Sequence, residues 1–103
     1  MQLISRNRLD AYARDHADAA SALAAWITSV RAARWSTMQD ILATVPSAKV
    51  LNGERVRFAI RGGNHRLVAS IFFRHQMVFV KFIGTHPEYD AIDALTVDQF
   101  KGS

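Results

Sequence analysis

The sequence predicts an α+β fold in which N-terminal helices pack on one face of a small antiparallel β-sheet and a short helix follows the last strand. Three observations point there. Residues 5–45 carry apolar side chains at three- and four-residue spacing, residues 55–83 alternate with period two, and Thr85 with Glu88 opens a new helical signature. At 103 residues the chain has room for one core, so residues 1–103 read as a single domain.

Leu3-Ile4 is a short apolar start that suits a brief edge strand. Ser5 is the expected N-cap of a first helix, with Leu9, Tyr12, Ala13 and His16 along one side. Asp18 is the expected cap of a second, longer helix whose Ala-rich sequence favours helix intrinsically. Leu23, Ile27, Val30 and Arg34 mark one side of it and Trp26 and Ala33 flank that stripe, which needs a surface to cover. Trp26 and Trp35 lie in this helical half and read as packing residues. Ser36 and Gln39 have the spacing of a capping box, and Met38, Ile41, Leu42 and Val45 follow until Pro46 ends the segment. A connection over Ser47 to Gly53 leads into the strands.

Those strands are expected over residues 55–61, 66–73 and 77–83, with Gly62-Gly63-Asn64-His65 and a turn at His75-Gln76 between them. Gly84 and Thr85 end the meander, and Thr85 and Glu88 cap a helix running to about Leu95. Placing Arg61 opposite Arg66, and Arg74 opposite Met77, sorts the side chains into two faces. One is wholly apolar: Val56, Phe58, Ile60, Leu67, Ala69, Ile71, Phe73, Val78, Val80 and Phe82. The helices must cover it. The other gathers Arg57, Arg61, Arg66 and Lys81 with Ser70, Val68, Phe72, Phe79 and Ile83, and no acid among them.

Like charges on neighbouring strands repel unless an anion answers them, and phosphate is a natural match for the planar guanidinium fork. Phe72 and Phe79 beside them offer flat faces on which unpaired bases stack. The competing reading is an ordinary solvated face with Arg stems lying over the two rings. Net charge agrees with a polyanion partner: 13 Lys plus Arg stand against 9 Asp plus Glu, giving +4. With no Cys, the chain has no disulfide, no Cys-bound zinc or iron–sulfur cluster and no thiol nucleophile. No apolar run approaches a membrane span and the N-terminus lacks the order of a signal peptide, so a cytoplasmic protein without membrane partners is expected.

His86-Pro87-Glu88-Tyr89-Asp90 begins the last helix, and on this register His86 and Tyr89 reach the rim of the basic face. RNA cleavage without a metal needs a group to take the 2'-hydroxyl proton, cations for the charged phosphorane and a donor to the leaving 5'-oxygen. Of this cluster only His86 has an ordinary pKa near neutrality. A helix-start hydrogen-bonding role for His86, and a half-buried anchor role for Tyr89, are the plainer alternatives. His65 either contacts RNA or caps the glycine turn, His16 and His75 read as surface or helix-end residues, and Glu88 reads as the partner of the Thr85 cap. Gly62-Gly63 is not a nucleotide loop, the four His lack metal-ligand spacing, and the Arg residues of the sheet half disfavour a helix-turn-helix reading. No cofactor is expected.

Leu3-Ile4-Ser5, the segment from Phe58 through Gly62-Gly63-Asn64-His65-Arg66 to Val68, and above all Phe82-Ile83-Gly84-Thr85-His86-Pro87-Glu88-Tyr89-Asp90 with Ile92-Asp93 resemble the HigB family of toxins, part of the RelE-like group. The resemblance implies a RelE-like fold and a metal-independent endoribonuclease that cleaves messenger RNA (mRNA), typically on the ribosome. It also implies neutralisation by a HigA-type antitoxin with a helix-turn-helix domain, and cleavage by 2'-hydroxyl attack. Residue by residue, His86 is then the proton-transfer group, Arg66 and Arg61 stabilise the phosphate, and Tyr89 orients or packs. Arg57, Lys81, His65, Phe72 and Phe79 bind RNA or the ribosome. Two positions depart from the family pattern: Ala59, where Asn is frequent, and His65, where an aromatic is frequent. A non-catalytic protein binding RNA or the ribosome, and a module docking an acidic protein segment, are the rival readings.

Overall fold

The structure, a computed structural model, describes residues 1–101. The helical half contains α1 (Arg6–Asp15), a 3-10 turn (Ala17–Ala19), α2 (Ala20–Ala32) and α3 (Met38–Thr44). Five strands, β1 (Gln2–Ile4), β2 (Lys49–Val50), β3 (Arg55–Ile60), β4 (His65–Phe72) and β5 (Met77–Thr85), form one sheet, and α4 (His86–Asp90) follows the last. The order across the sheet is β1-β5-β4-β3-β2. The meander is antiparallel as predicted, whereas β1 joins β5 in parallel and makes the sheet mixed.

Helices and the inner sheet face bury one another. Leu9, Leu23, Trp26, Ile27, Val30, Trp35 and Ile41 pack against Val56, Phe58, Ile60, Leu67, Ala69, Ile71, Val78 and Val80. Phe58 is the centre: Trp26 meets its ring edge-on at 5.2 Å and Trp35 lies nearly parallel to it at 6.4 Å. Both Trp are packing residues, as read from the sequence.

Local chemistry shifts several predicted caps. Ser5 has a left-handed backbone (φ 73) and makes no side-chain cap bond. The capping box of α3 is Thr37 with Asp40, one residue beyond Ser36 and Gln39, because the Asp40 carboxylate accepts from both the Ser36 and Thr37 amides. Asp18 lies in the 3-10 turn and makes no side-chain cap bond to α2; its carboxylate reaches the sheet instead. The Thr85–Glu88 box is present as predicted. The helix it starts ends at Asp90 and not near Leu95, since Asp93 takes the Leu95 amide with its carboxylate and bends the chain into turns.

Two register differences decide what the outer face holds. Ala59 pairs with Arg66 and Ile60 with His65, so Arg61 is not opposite Arg66 but enters a four-residue turn with φ 51. Phe72, not Arg74, pairs with Met77, because residues 73–75 coil into a 3-10 turn. Both changes are two-residue shifts and leave the facing of β3 and β4 intact. A β-bulge does not: Val68 pairs with Phe82 while Ala69 pairs with Val80, leaving Lys81 as the extra residue. Beyond it the alternation of β5 inverts. Phe82, predicted for the inner core, turns to the outer face beside Val68, and Ile83, predicted outside, joins the core.

Candidate active site

The outer face carries Arg55, Arg57 and Ala59 on β3 and Arg66, Val68, Ser70 and Phe72 on β4. It is not the open basic plane the sequence suggested. Segment 86–101 folds back over it: Arg55 donates to the carbonyls of Ala94 (3.1 Å) and Val97 (2.7 Å), Asp98 pairs with Lys81 at 3.6 Å, and Gln99 caps the β5 edge through the Lys81 carbonyl and the Ile83 amide. Val68, Ser70 and Phe82 are buried beneath it.

One corner stays accessible where the β3–β4 turn meets the start of α4. Arg61, Gly62 and Gly63 all have positive φ. At Gly63 the φ of +92 strains any residue with a β-carbon, so this position suits glycine. The turn presents two consecutive carbonyls to the groups of interest. Gly63 accepts from Arg66 Nε (3.2 Å) and Asn64 accepts from the His86 amide (2.9 Å). The Arg66 guanidinium lies 5.6 Å over the Tyr89 ring, and Tyr89 in turn packs near Phe82 at 6.3 Å. His86 is half exposed, and its Nδ1 meets Asp90 Oδ2 at 2.9 Å.

That last pairing has a chemical consequence. A carboxylate can only accept, so Nδ1 carries the proton it donates to Asp90, and a neutral His86 has its free lone pair on Nε2. Asp90 went unassigned in the sequence reading, although His and Asp four apart on a helix start are neighbours on one face. Glu88 is held below the usual carboxylate range by the Thr85 amide and hydroxyl it is bonded to, as its capping role requires.

The remaining predicted residues go elsewhere. Arg61 leaves the outer face: its Nη1 donates to Asp18 Oδ2 at 3.1 Å in the helical layer. His65 is 3% exposed on the inner side of the sheet, which corrects the expectation that it lies open to RNA. Its Nδ1 meets the Tyr12 hydroxyl at 2.6 Å and its Nε2 meets the same Asp18 oxygen at 2.9 Å. Asp18 is accordingly held low, chiefly by the His65 hydrogen bond, against an opposing effect of desolvation and with help from the Arg61 charge. Arg57 faces outward with Nη2 donating to the Ser47 carbonyl at 3.4 Å, and its buried Nε has no partner among the described residues. Lys81 is partly neutralised by Asp98 and lies 5.8 Å over the Phe79 ring. Phe72 and Phe79 do pair, with rings 5.1 Å apart, but Phe72 lies six positions along β4 from Arg66, or about 20 Å. Arg66, Tyr89 and the backbone of His86 thus meet at one corner, whereas the side chains of Arg61 and His65 turn to Asp18 and the two Phe lie farther along the sheet.

Residues 19–92 match the family described as HigB_toxin, the RelE-like toxic component of a toxin-antitoxin system. That span exceeds half of the chain and contains β3, β4, β5, α4 and the whole corner. The chain belongs to the HigB toxin family. No match was found among curated proteins. Membership makes this HigB-family chain the toxic half of a two-component system, with an antitoxin as its partner. Among the described residues no helix is long and apolar enough to cross a membrane.

Proposed function

We propose that this HigB-family toxin, acting as one domain, is an endoribonuclease that cleaves mRNA as it is translated on the ribosome. In this reading a HigA-type helix-turn-helix antitoxin silences it. The observation that carries the reading is the corner itself: one turn holds Arg66 and the His86 backbone on adjacent carbonyls, and Asp90 orients the His86 ring.

The chemistry uses these side chains and solvent water. His86 Nε2 takes the proton of the 2'-hydroxyl, and the resulting oxygen attacks the adjacent phosphorus. Arg66 donates to the non-bridging oxygens as charge builds on the phosphorane, where preorganised donors act most strongly. The bond to the 5'-oxygen breaks, that oxygen takes a proton from solvent water while His86 returns to solvent the proton it accepted, and the products are a 2',3'-cyclic phosphate and a 5'-hydroxyl. Tyr89 holds the Arg66 plane by stacking beneath it. Arg57, Lys81, Phe72 and Phe79 lie outside the reacting corner and serve the flanking RNA or ribosome backbone. Arg61 serves phosphate only by leaving Asp18.

Controlled expression of wild type, His86→Ala and Arg66→Ala, with mapping of new 5' ends in cellular messages, tests this. Growth arrest with new ends from wild type, lost in both variants, is expected. RNA association without any new ends would instead mark a silent RNA-binding protein.

A further inference from the structure

The pairing of Tyr12, His65 and Asp18 is unused by the mechanism above. It ties α1 and the 3-10 turn after it to the turn that carries the corner. Asp18 is a carboxylate and can only accept, so His65 Nε2 holds the proton between them; in the neutral ring Nδ1 then accepts from the Tyr12 hydroxyl. Both ring nitrogens of a side chain that is 3% exposed are thereby satisfied. The same Asp18 oxygen takes Arg61, the first residue of the turn, so the turn is gripped at both ends: Arg61 before it and His65 after it. Between those grips, residues 61–63 are all left-handed, and the carbonyls of Gly63 and Asn64 point at Arg66 and His86.

We propose that His65 is a positioning residue of the RNA-cleaving corner, acting through its bridge from Tyr12 to Asp18 to fix the β3–β4 turn and, through that turn, the placement of Arg66 and the start of α4. This rests on the ribonuclease reading for its catalytic consequence, and on the geometry alone for its structural one. Of the three left-handed residues in this turn only Arg61 carries a β-carbon, and a non-glycine residue in that conformation is strained and persists only when its surroundings over-determine it. The bridge supplies that constraint from beneath, on the side of the sheet away from the RNA. Small misplacement of a catalytic group is expensive, so loosening the turn falls on the rate and not on RNA association.

The test compares wild type with Tyr12→Phe and His65→Phe. Tyr12→Phe deletes one oxygen and keeps the ring; His65→Phe keeps the bulk and removes both polar contacts. Cleavage of RNA on translating ribosomes is expected to fall about 10- to 100-fold in kcat with KM nearly unchanged. In the folded protein the His86 backbone amide resonance is expected to shift in both variants as its bond to Asn64 loosens, which mere loss of folded fraction does not produce. Wild-type kcat and an unmoved His86 amide in the folded variants would overturn the proposal. Should His65→Phe fail to fold, Tyr12→Phe decides alone. If wild type cleaves no better than His86→Ala, the ribonuclease reading fails by itself, and the amide shift still decides whether the bridge positions the turn.

Discussion

Gly84→Ala probes the bulge and the packing of α4 together. A β-carbon there would lie 2.6 Å from Phe82 Cζ, 3.1 Å from Phe82 Cε2 and 3.2 Å from Glu88 Oε1. Carbon pairs are comfortable near 3.5–4.0 Å, so the overlap is about 1 Å. Phe82 is 4% exposed and cannot swing into solvent, and Glu88 is committed to the Thr85 cap. Overpacking of this kind costs ~1–3 kcal/mol. Gly84 does not have a positive φ, so alanine also restricts the unfolded chain and returns ~0.4–1 kcal/mol. The net loss is ~1–2 kcal/mol, or a fall in Tm of roughly 5–15 °C for a domain of this size. Thermal unfolding followed by circular dichroism measures it. Because the clash is with the Phe82 ring, Phe82→Leu should relieve it, and the double variant should be less destabilised than the two single losses added, by ~0.5 kcal/mol or more. A Gly84→Ala protein that melts with wild type, or strict additivity with Phe82→Leu, would show that Phe82 does not lie beneath α4.

Tyr12 is pushed up from 10.0 to about 12, first by burial and then by the negative charges of Glu88 and Asp18. A raised folded-state pKa stabilises below the unfolded value, so stability should be complete below about pH 10 and decline through about pH 12, with the decline reduced in Tyr12→Phe; urea unfolding across that range reads it. Asp18 has the opposite sign: its folded pKa is lowered from 3.8, so its contribution is present above that value and is lost as pH falls further, and Asp18→Asn should flatten the acid limb of the same curve. Asp90→Ala should slow cleavage several-fold, much less than His86→Ala, because an exposed pair is worth only ~0.2–1 kcal/mol; ribosome-dependent cleavage kinetics compare the two.

Much of this architecture is legible in residue spacing. The alternation of Val56, Phe58 and Ile60 against Leu67, Ala69 and Ile71 fixes the inner face, and any register keeping that parity buries it. Thr85 and Glu88 announce the start of α4 because the box is a purely local device. The bulge is another matter. Nothing near Lys81 signals an extra residue, and apolar Phe82 and Ile83 fit either side, so the inversion of β5 is settled by tertiary packing. The site divides along the same line. His86, Arg66 and Tyr89 are near neighbours through one turn, which is why short-range sequence spacing groups them. Arg61 and His65 were misplaced because their partners, Asp18 and Tyr12, lie more than forty residues earlier in the chain. Arg61 and Lys81 seemed unanswered on their strands, but the acids that meet them, Asp18 and Asp98, come from the helical layer and the C-terminal segment.

The chemistry at the corner is tested most directly by the termini it leaves. Purified wild type, added to ribosomes translating a defined message, should release fragments ending in a 2',3'-cyclic phosphate, with 5'-hydroxyl ends opposite, and His86→Ala should release almost none. Fragments carrying 5'-phosphate and 3'-hydroxyl ends, or equal cleavage by His86→Ala, would contradict it.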